Sequence, residues 1–199
     1  MKTLHYSLQF FDYWHTGSGL SAGTYADQVV NKTHDGFPFV PGKTIKGLLR
    51  HAAEDLLELG DEAFKQSTIE QIFGTRAEGR HEVRGEEDAF PPDNARQGGI
   101  GWFSNANLSP VLRAKLNKQP ERARLFEVLA STAIDETGTA ENHTLRQMEV
   151  AIPMTLHGRI SGLEEQHRAT LERFLHYVKR LGQNRSRGLG RCQFKITAK

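Results

Sequence analysis

The 199-residue chain has one cysteine, Cys192. A single thiol excludes an intrachain disulfide and any zinc site built on paired cysteines. Long apolar runs are lacking as well, so no stretch reads as a membrane-spanning helix. The N-terminal MKTLHYSLQF alternates in polarity and does not resemble a secretory leader. A soluble, cytoplasmic protein with no membrane partner is the expectation. Charge of one sign is also scarce: 26 Lys and Arg face 24 Asp and Glu, a formal +2. That balance alone does not announce a nucleic-acid binder. A P-loop is missing too. PGKT at 41–44 invites one, but the first glycine of G-x-x-x-x-G-K-[ST] would fall at Phe37 and not at Gly36. Pro38 and Pro41 also stand where flexible amides are needed.

The charge that is present is uneven. Segment 78–94 is acid-rich, whereas the stretch from Arg173 to Lys199 holds several Arg and Lys and no Asp or Glu. A local basic surface is therefore expected near the C-terminus.

Periodicity places the elements. Leu4, Tyr6, Leu8 and Phe10 alternate with His5, Ser7 and Gln9, which predicts a half-buried strand over 3–10. A long Gly/Ser-rich loop follows. Ile45, Leu48, Leu49, Ala52 and Leu56 repeat at helical spacing after Pro41-Gly42, giving a helix over 41–59. A second helix is expected over 61–73, stopped by Gly74. Residues 75–97 read as an insertion, 99–108 as a strand and its turn, and 119–131 as a short helix. Residues 135–147 are a polar excursion with a turn at Thr137-Gly138, and 150–160 returns to strand. Ser161 and Glu164 have capping-box spacing ahead of a helix carrying Leu171, Phe174, Leu175 and Val178, which runs toward Gly182. RCQFKI is the last strand. The order fits an α+β, ferredoxin-like (RRM-like) β-α-β-β-α-β core in one domain spanning 1–199, with loop or thumb insertions near 13–35, 75–97 and 135–148.

Two clusters carry possible phosphate chemistry. Lys43, Lys46 and Arg50 stand at a helix N-terminus, where backbone amides and the dipole favour anions. In GQNRSRGLGRCQF, Arg185, Arg187 and Arg191 supply phosphate-matching forks around Asn184, Ser186, Gly188 and Gly190. The Gly-Leu-Gly pair precedes a strand, so it is no dinucleotide fingerprint. A solvated helix start and a solvated loop are the plain alternatives. Nine histidines show no metal spacing; His15 and His34 lie in loops. Tyr13, Trp14 and Tyr25 could stack on bases, or pack their loop onto the domain.

Five stretches in order resemble one family. They are His15-Thr16-Gly17-Ser18-Gly19, GFPFVPGKTIKGLLR at 36–50, IFG at 72–74 with GIGWFSNANL at 99–108, AIDETGTAENHTLRQMEVAIP, and the terminal GQNRSRGLGRCQF. The chain resembles a RAMP-superfamily CRISPR-associated protein, of the Cas-seven-like backbone kind found in type III effector complexes. The resemblance implies an RRM-like core with a thumb-like excursion. The implied partners are CRISPR guide RNA, complementary target RNA, other effector subunits and copies of the same chain. It implies RNA-binding roles for Lys43, Lys46, Arg50, Arg185, Ser186, Arg187, Gly188, Gly190, Arg191, His15 and Ser18. Asp27 with Val30 and Lys32 resembles the family's D-x-P-V-x-[RK]-[DE], from which Gln28-Val29 and Thr33 depart. By that likeness Asp27 is the catalytic acid of target-RNA cleavage, with a weakly held Mg²⁺. The alternatives are a catalytically inactive guide-RNA-binding subunit and a Cas-six-like guide-RNA-processing endoribonuclease using His15 or His34 as base. An unrelated RRM-like binder would carry stacking aromatics on its central strands.

Overall fold

A computed structural model describes residues 2–23, 25–75, 97–116 and 118–197. The first strand, β1 (Lys2–Phe10), takes the alternation at face value: Leu4, Tyr6, Leu8 and Phe10 are all buried. It is the centre of a four-stranded antiparallel sheet. β5 (Thr155–Leu163) lies on one side of it and β6 (Cys192–Thr197) on the other. The short β2 (Trp102–Phe103) adds to the far edge of β5, giving the order β2-β5-β1-β6. With helices between the first and second and between the third and fourth strands of this sheet, the topology is the split β-α-β of a ferredoxin-like core.

Three helices cover one face of this sheet. α1 (Gly42–Glu58) buries Ile45, Leu49, Ala52 and Ala53; α2 (Gln66–Phe73) buries Ile69, Ile72 and Phe73; α5 (His167–Tyr177) buries Leu171, Phe174 and Leu175. Phe174 ties two of them together, with its ring 4.9 Å from Phe64 and 6.2 Å from Phe73. Each of the buried Leu, Ile and Phe side chains stabilises the core by roughly 1.5–3 kcal/mol through burial. Gly42 exists for contact: a Cβ there would come within 2.1 Å of the Phe103 carbonyl oxygen, so only glycine lets α1 start against β2. Cys192 faces this core, and burial pushes its thiol up to about 12, so it stays protonated and inert at neutral pH.

A second, two-stranded sheet stands beside the first. β3 (Phe126–Ser131) pairs with β4 (Arg146–Ala151), and the exposed tip between them forms the thumb-like arm. Asp135 organises that tip, accepting from the hydroxyl and amide of Thr137 and the amide of Thr139.

Several expectations are corrected. The single helix over 119–131 is one helical turn, α4 (Gln119–Ala123), followed by β3. Pro120 suits the first turn of a helix, but FEVLAS finds a pairing partner in 146–151, and the ladder wins. The strand over 150–160 is two strands in different sheets. Pro153, which has no amide to donate, sits in the break between them. Ser161 is no helix cap. It pairs with Trp102 within β5, and α5 begins at His167 after Gln166, without a side-chain cap. That helix ends at Tyr177, short of Gly182. The other short helix, α3 (Pro110–Lys115), is capped by Ser109. The second predicted helix begins later than expected, at Gln66, though Gly74 does end it with φ 91°. The insertion expected over 75–97 falls, between 76 and 96, outside the described residues. Its flanks are joined, Thr75 N–H donating to the Gln97 carbonyl at 3.0 Å. No helix among the described residues is long and apolar enough to cross a membrane.

Candidate nucleic-acid interface

β4 is the spine on which the site is assembled. Past the end of β1 the chain turns inward and buries Trp14, His15 and Thr16. Trp14 and Ala151 exchange backbone hydrogen bonds at 3.0 and 2.8 Å, and the indole N–H donates to the Ile152 carbonyl. Phe10 stacks on Trp14 with ring centroids 4.5 Å apart. His15 is wholly buried. Its Nδ1 lies 2.6 Å from the Glu149 carbonyl oxygen, which can only accept, so Nδ1 carries the proton. Its Nε2 is buried and has no hydrogen-bond partner.

The glycine loop closes over the same residues through its backbone. Gln183 N–H donates to the His15 carbonyl at 2.9 Å, and Gly190 N–H to the Tyr13 carbonyl at 2.8 Å. Gly182 has φ +104° and passes so near that a Cβ would stand 2.4 Å from the His15 oxygen. Asn184 takes a left-handed conformation and sets Arg185–Arg187 in an exposed 3-10 turn. Its side-chain amide reaches the Met148 sulfur at 3.6 Å, back on β4. Arg180 braces the turn by donating to the Arg185 carbonyl at 2.6 Å.

Between this loop and α1 runs a groove of about 350 Å³, lined by His15, Thr16 and Gly17, by Lys43, Thr44, Gly47, Leu48 and His51, and by Leu181 to Gln183 and Arg185. Of the residues expected to bind RNA, His15, Lys43 and Arg185 meet there. The helix contributes side chains more than free amides. Gly42 N–H is taken by Asn105 Oδ1 at 2.9 Å, and the amides of Thr44 and Ile45 by the Pro41 carbonyl. Gly47 has no atom within 4 Å of where a Cβ would sit, so it keeps the groove open. Two cations and a hydroxyl facing one groove suit an anion such as a phosphodiester, while the unprotonated His15 Nε2 beside them calls for a donor.

The remaining expected residues stand elsewhere. Ser186, Arg187 and Gly188 are exposed on the turn beside the groove. Gly190 shapes the loop, since a Cβ there would meet the Leu181 oxygen at 2.1 Å. Arg191 points away, paired with Asp12 at 3.3 Å and lying over the Phe11 ring. Lys46 and Arg50 are on the flank of α1, with Arg50 bonded to Glu54 at 3.0 Å. Ser18 folds its own loop, donating to the Val29 carbonyl and accepting from Leu20 N–H, both at 3.1 Å. Of the loop aromatics, Trp14 is core, while Tyr13 and Tyr25 are exposed. His34 is fully exposed beside Asp35.

Asp27 lies along the same edge of β4 as His15, the edge that β3 leaves free. Its N–H donates to the Gln147 carbonyl at 2.8 Å, and its Oδ2 accepts from Gln147 N–H at 2.7 Å. Among the described residues nothing donates to its Oδ1. Two residues further along β4, buried Glu149 accepts from Val30 N–H at 3.1 Å and from Lys32 Nζ at 2.7 Å. Because Glu149 also receives His15, the backbone anchors of Asp27 and of the groove are one pleat repeat apart, roughly 7 Å. Glu149, Gly182, Gln183 and His51 were not singled out by sequence reasoning. A lone acid inside an apolar strand, MEVAI, was the available signal for Glu149. Among the described residues no group of three His, Cys, Asp or Glu could hold a metal ion.

The class of fold is a ferredoxin-like core bearing a β-hairpin arm and a basic glycine loop. The chain belongs to the RAMP superfamily, whose family model matches residues 8–193. The fold is similar to a chain of type III-B Cmr-beta bound to cognate target RNA, with a TM-score of 0.66, 11% identity and coverage of 98% of this chain and 97% of that one. It is also similar to a chain of type III-B Cmr-beta in the apo state, with a TM-score of 0.65, 13% identity and the same coverage. No curated protein sequence matches it.

Proposed function

We propose that the chain is a guide-RNA-binding backbone subunit of a type III CRISPR interference complex, and that it cleaves complementary target RNA through Asp27. Its partners are guide RNA, target RNA, other effector subunits and copies of itself, in the cytoplasm. The observation that carries this reading is the convergence of His15, Lys43 and Arg185, from three separate segments, on one groove in a chain of the RAMP superfamily. The similar fold in type III-B Cmr-beta bound to cognate target RNA supports it.

In this reading the guide backbone lies against the groove and the adjoining turn. Arg185 and Arg187 grip phosphates, Lys43 adds a point charge, and His15 Nε2 accepts from a ribose 2′-hydroxyl, which gives it the partner it lacks. Asp27 acts on the opposing strand. With Oδ2 held by Gln147, Oδ1 is free to accept the proton of a ribose 2′-OH. The 2′-oxygen forms a bond to the adjacent phosphorus, the bond to the 5′-oxygen breaks, and that oxygen takes a proton from water, leaving a cyclic phosphate and a 5′-hydroxyl. A Mg²⁺ ion here would find no cluster of protein ligands among the described residues and would be held mainly by water and RNA beside the Asp27 carboxylate, which suits a weakly held ion. When bound, it supplies charge stabilisation at the phosphate.

The test is reconstitution with guide RNA and co-purifying subunits, followed by complementary RNA and Mg²⁺. Asp27→Asn keeps an acceptor for Gln147. Regularly spaced target cuts that vanish in Asp27→Asn, with guide and target binding intact, are expected. Tight guide binding with no cuts in either protein would leave a non-catalytic subunit. Cuts within the guide precursor that depend on His15 would instead identify a processing nuclease.

A further inference from the structure

The helices cover one face of the four-stranded sheet, and the other face is open. Pairing across β1 sets its outward residues in rows: Thr197, His5 and Arg159; then Lys195, Ser7 and His157; then Gln193, Gln9 and Thr155. Successive rows are separated by one pleat repeat, roughly 7 Å. No outward position of β1, β5 or β6 in these rows is Asp or Glu. Arg159 and Lys195 have no carboxylate partner among the described residues, whereas Arg168, at the margin, is bonded to Glu172 on its own helix. The Arg159 guanidinium sits 5.5 Å from the ring centroid of Trp102, and that indole is 54% exposed. His5, Arg159, Ser161, Arg168 and Thr197 surround a cleft of about 760 Å³ at this end of the sheet.

We propose that this open sheet face is a second RNA surface, one that takes a segment of single-stranded RNA separate from the strand held in the groove. The choice of RNA as the ligand rests on the proposed function, but the location does not. The cleft is at the end of the sheet where β1 starts, bordered by His5, Arg159 and Thr197 of the uncovered face and by Leu4, Ile196 and the α5 residue Arg168 beneath, and the groove lies past the end of β1 against α1. The chemistry favours a nucleic acid over an acidic protein segment. Unpaired cations meet phosphates, the row of hydroxyls, amides and imidazoles offers donors and acceptors to sugar and base edges, and the Trp102–Arg159 pair is a stacking platform for a base. An acidic peptide would use the cations and leave the platform idle. The aromatic lies on the edge strand, one strand away from the central position of an ordinary RRM platform, and a guanidinium extends it toward the centre.

The test uses the full chain and a short fluorescein-labelled oligouridylate. Anisotropy gives affinity and its salt dependence for wild type, for Arg159→Ala with Lys195→Ala, and for Arg185→Ala with Arg187→Ala. Intrinsic fluorescence reads the stacking, because Trp14 is wholly buried and Trp102 is the exposed indole. All substituted side chains are exposed, so the thermal unfolding transitions should match wild type. The sheet variant should bind about tenfold more weakly or worse, with a salt slope reduced by roughly 1.4 for two lost single-strand phosphate contacts. RNA should quench Trp102 in wild type and in the loop variant, and Trp102→Leu should abolish the quench. Loss of binding in the loop variant alone, with the sheet variant at wild-type affinity and slope, overturns the sheet surface while leaving the groove. Loss in the sheet variant alone keeps the sheet surface and removes the groove. A wild type that does not bind the oligouridylate, or binds it without quenching, overturns the proposal. So does a sheet variant that binds normally but no longer self-associates on gel filtration, which would assign the face to protein contact.

Discussion

The glycine loop 182–190 and the Asp27–Lys32 segment both lean on β4, yet only the second adds carboxylates to the backbone bonds that hold it. The loop is fixed by backbone: amides to the His15 and Tyr13 carbonyls, and glycines where a Cβ would overlap neighbouring carbonyls. Its arginines are left free to face outward. The Asp27 segment adds carboxylates to its backbone bonds, Asp27 on Gln147 and Glu149 on Val30 and Lys32. Where the backbone does the fastening, side chains remain available for a ligand, but any added atom is costly. Where side chains do the fastening, a residue with a chemical role also has a structural one, and the two must be separated by isosteric substitution.

That contrast sets an order of effects. The largest is Gly182→Ala, because its φ of +104° and the 2.4 Å approach to the His15 oxygen act together. We expect a loss of about 3 kcal/mol or more in urea unfolding. A near-neutral result would mean the loop is not seated on His15. Next is Glu149→Leu, which removes a buried carboxylate with two partners and strands the Val30 amide. On the order of 3 kcal/mol is expected by the same measurement, and Glu149→Gln should cost less because it can still accept from Val30. Equal costs for the two would show that the charge pair with Lys32 does the fastening. Gly188→Ala is the control for the loop. Gly188 shares a left-handed conformation, φ +89°, but nothing lies within 4 Å of a Cβ there, so only the conformational cost of roughly 1–2 kcal/mol should appear. A cost matching Gly182→Ala would erase the distinction between a strained position and a crowded one.

The smallest effect is a pH response at the tip of the arm. The Thr137 hydroxyl and the amides of Thr139, Thr137 and Gly138 hold the Asp135 carboxyl below its usual range. A depressed carboxyl adds stability above its ordinary pKa and loses it as pH falls through the lowered value. The protection factors of the Thr137 and Thr139 amides, corrected for the intrinsic pH dependence of exchange, should therefore hold at neutral pH and fall only in acid below the usual carboxylate range. Asp135→Asn should remove the pH response. An unchanged profile in that variant would assign the turn to backbone alone.

The parts of the fold that local pattern governs were legible in advance. Alternation in β1 and β6, the helical period of α1 and the stop at Gly74 depend on neighbours in sequence, and each stands where the pattern placed it. Sites that needed long-range pairing were misread. FEVLAS has no local preference strong enough to declare itself until β4 is beside it. Ser161 mimics a cap until Trp102 pairs with it. The basic loop was visible as a loop, but its arginines looked equivalent. Arg185 lines the groove, whereas Arg191 is turned to Asp12, a residue 179 positions away.

Sequence alone determined the basic residue types that line the groove, the glycines that let a backbone pass close to another, and the alternation that leaves one sheet face polar and free of acid. Only the tertiary structure decided which cations share a groove, that His15 carries its proton on Nδ1 and keeps Nε2 unpartnered, and that Asp27 and His15 hang from the same strand. The physical reason is that period and propensity act over a few residues, whereas a hydrogen bond between Gln147 and Asp27 or an ion pair between Glu149 and Lys32 exists only once the packed core has brought distant segments within 3 Å or so.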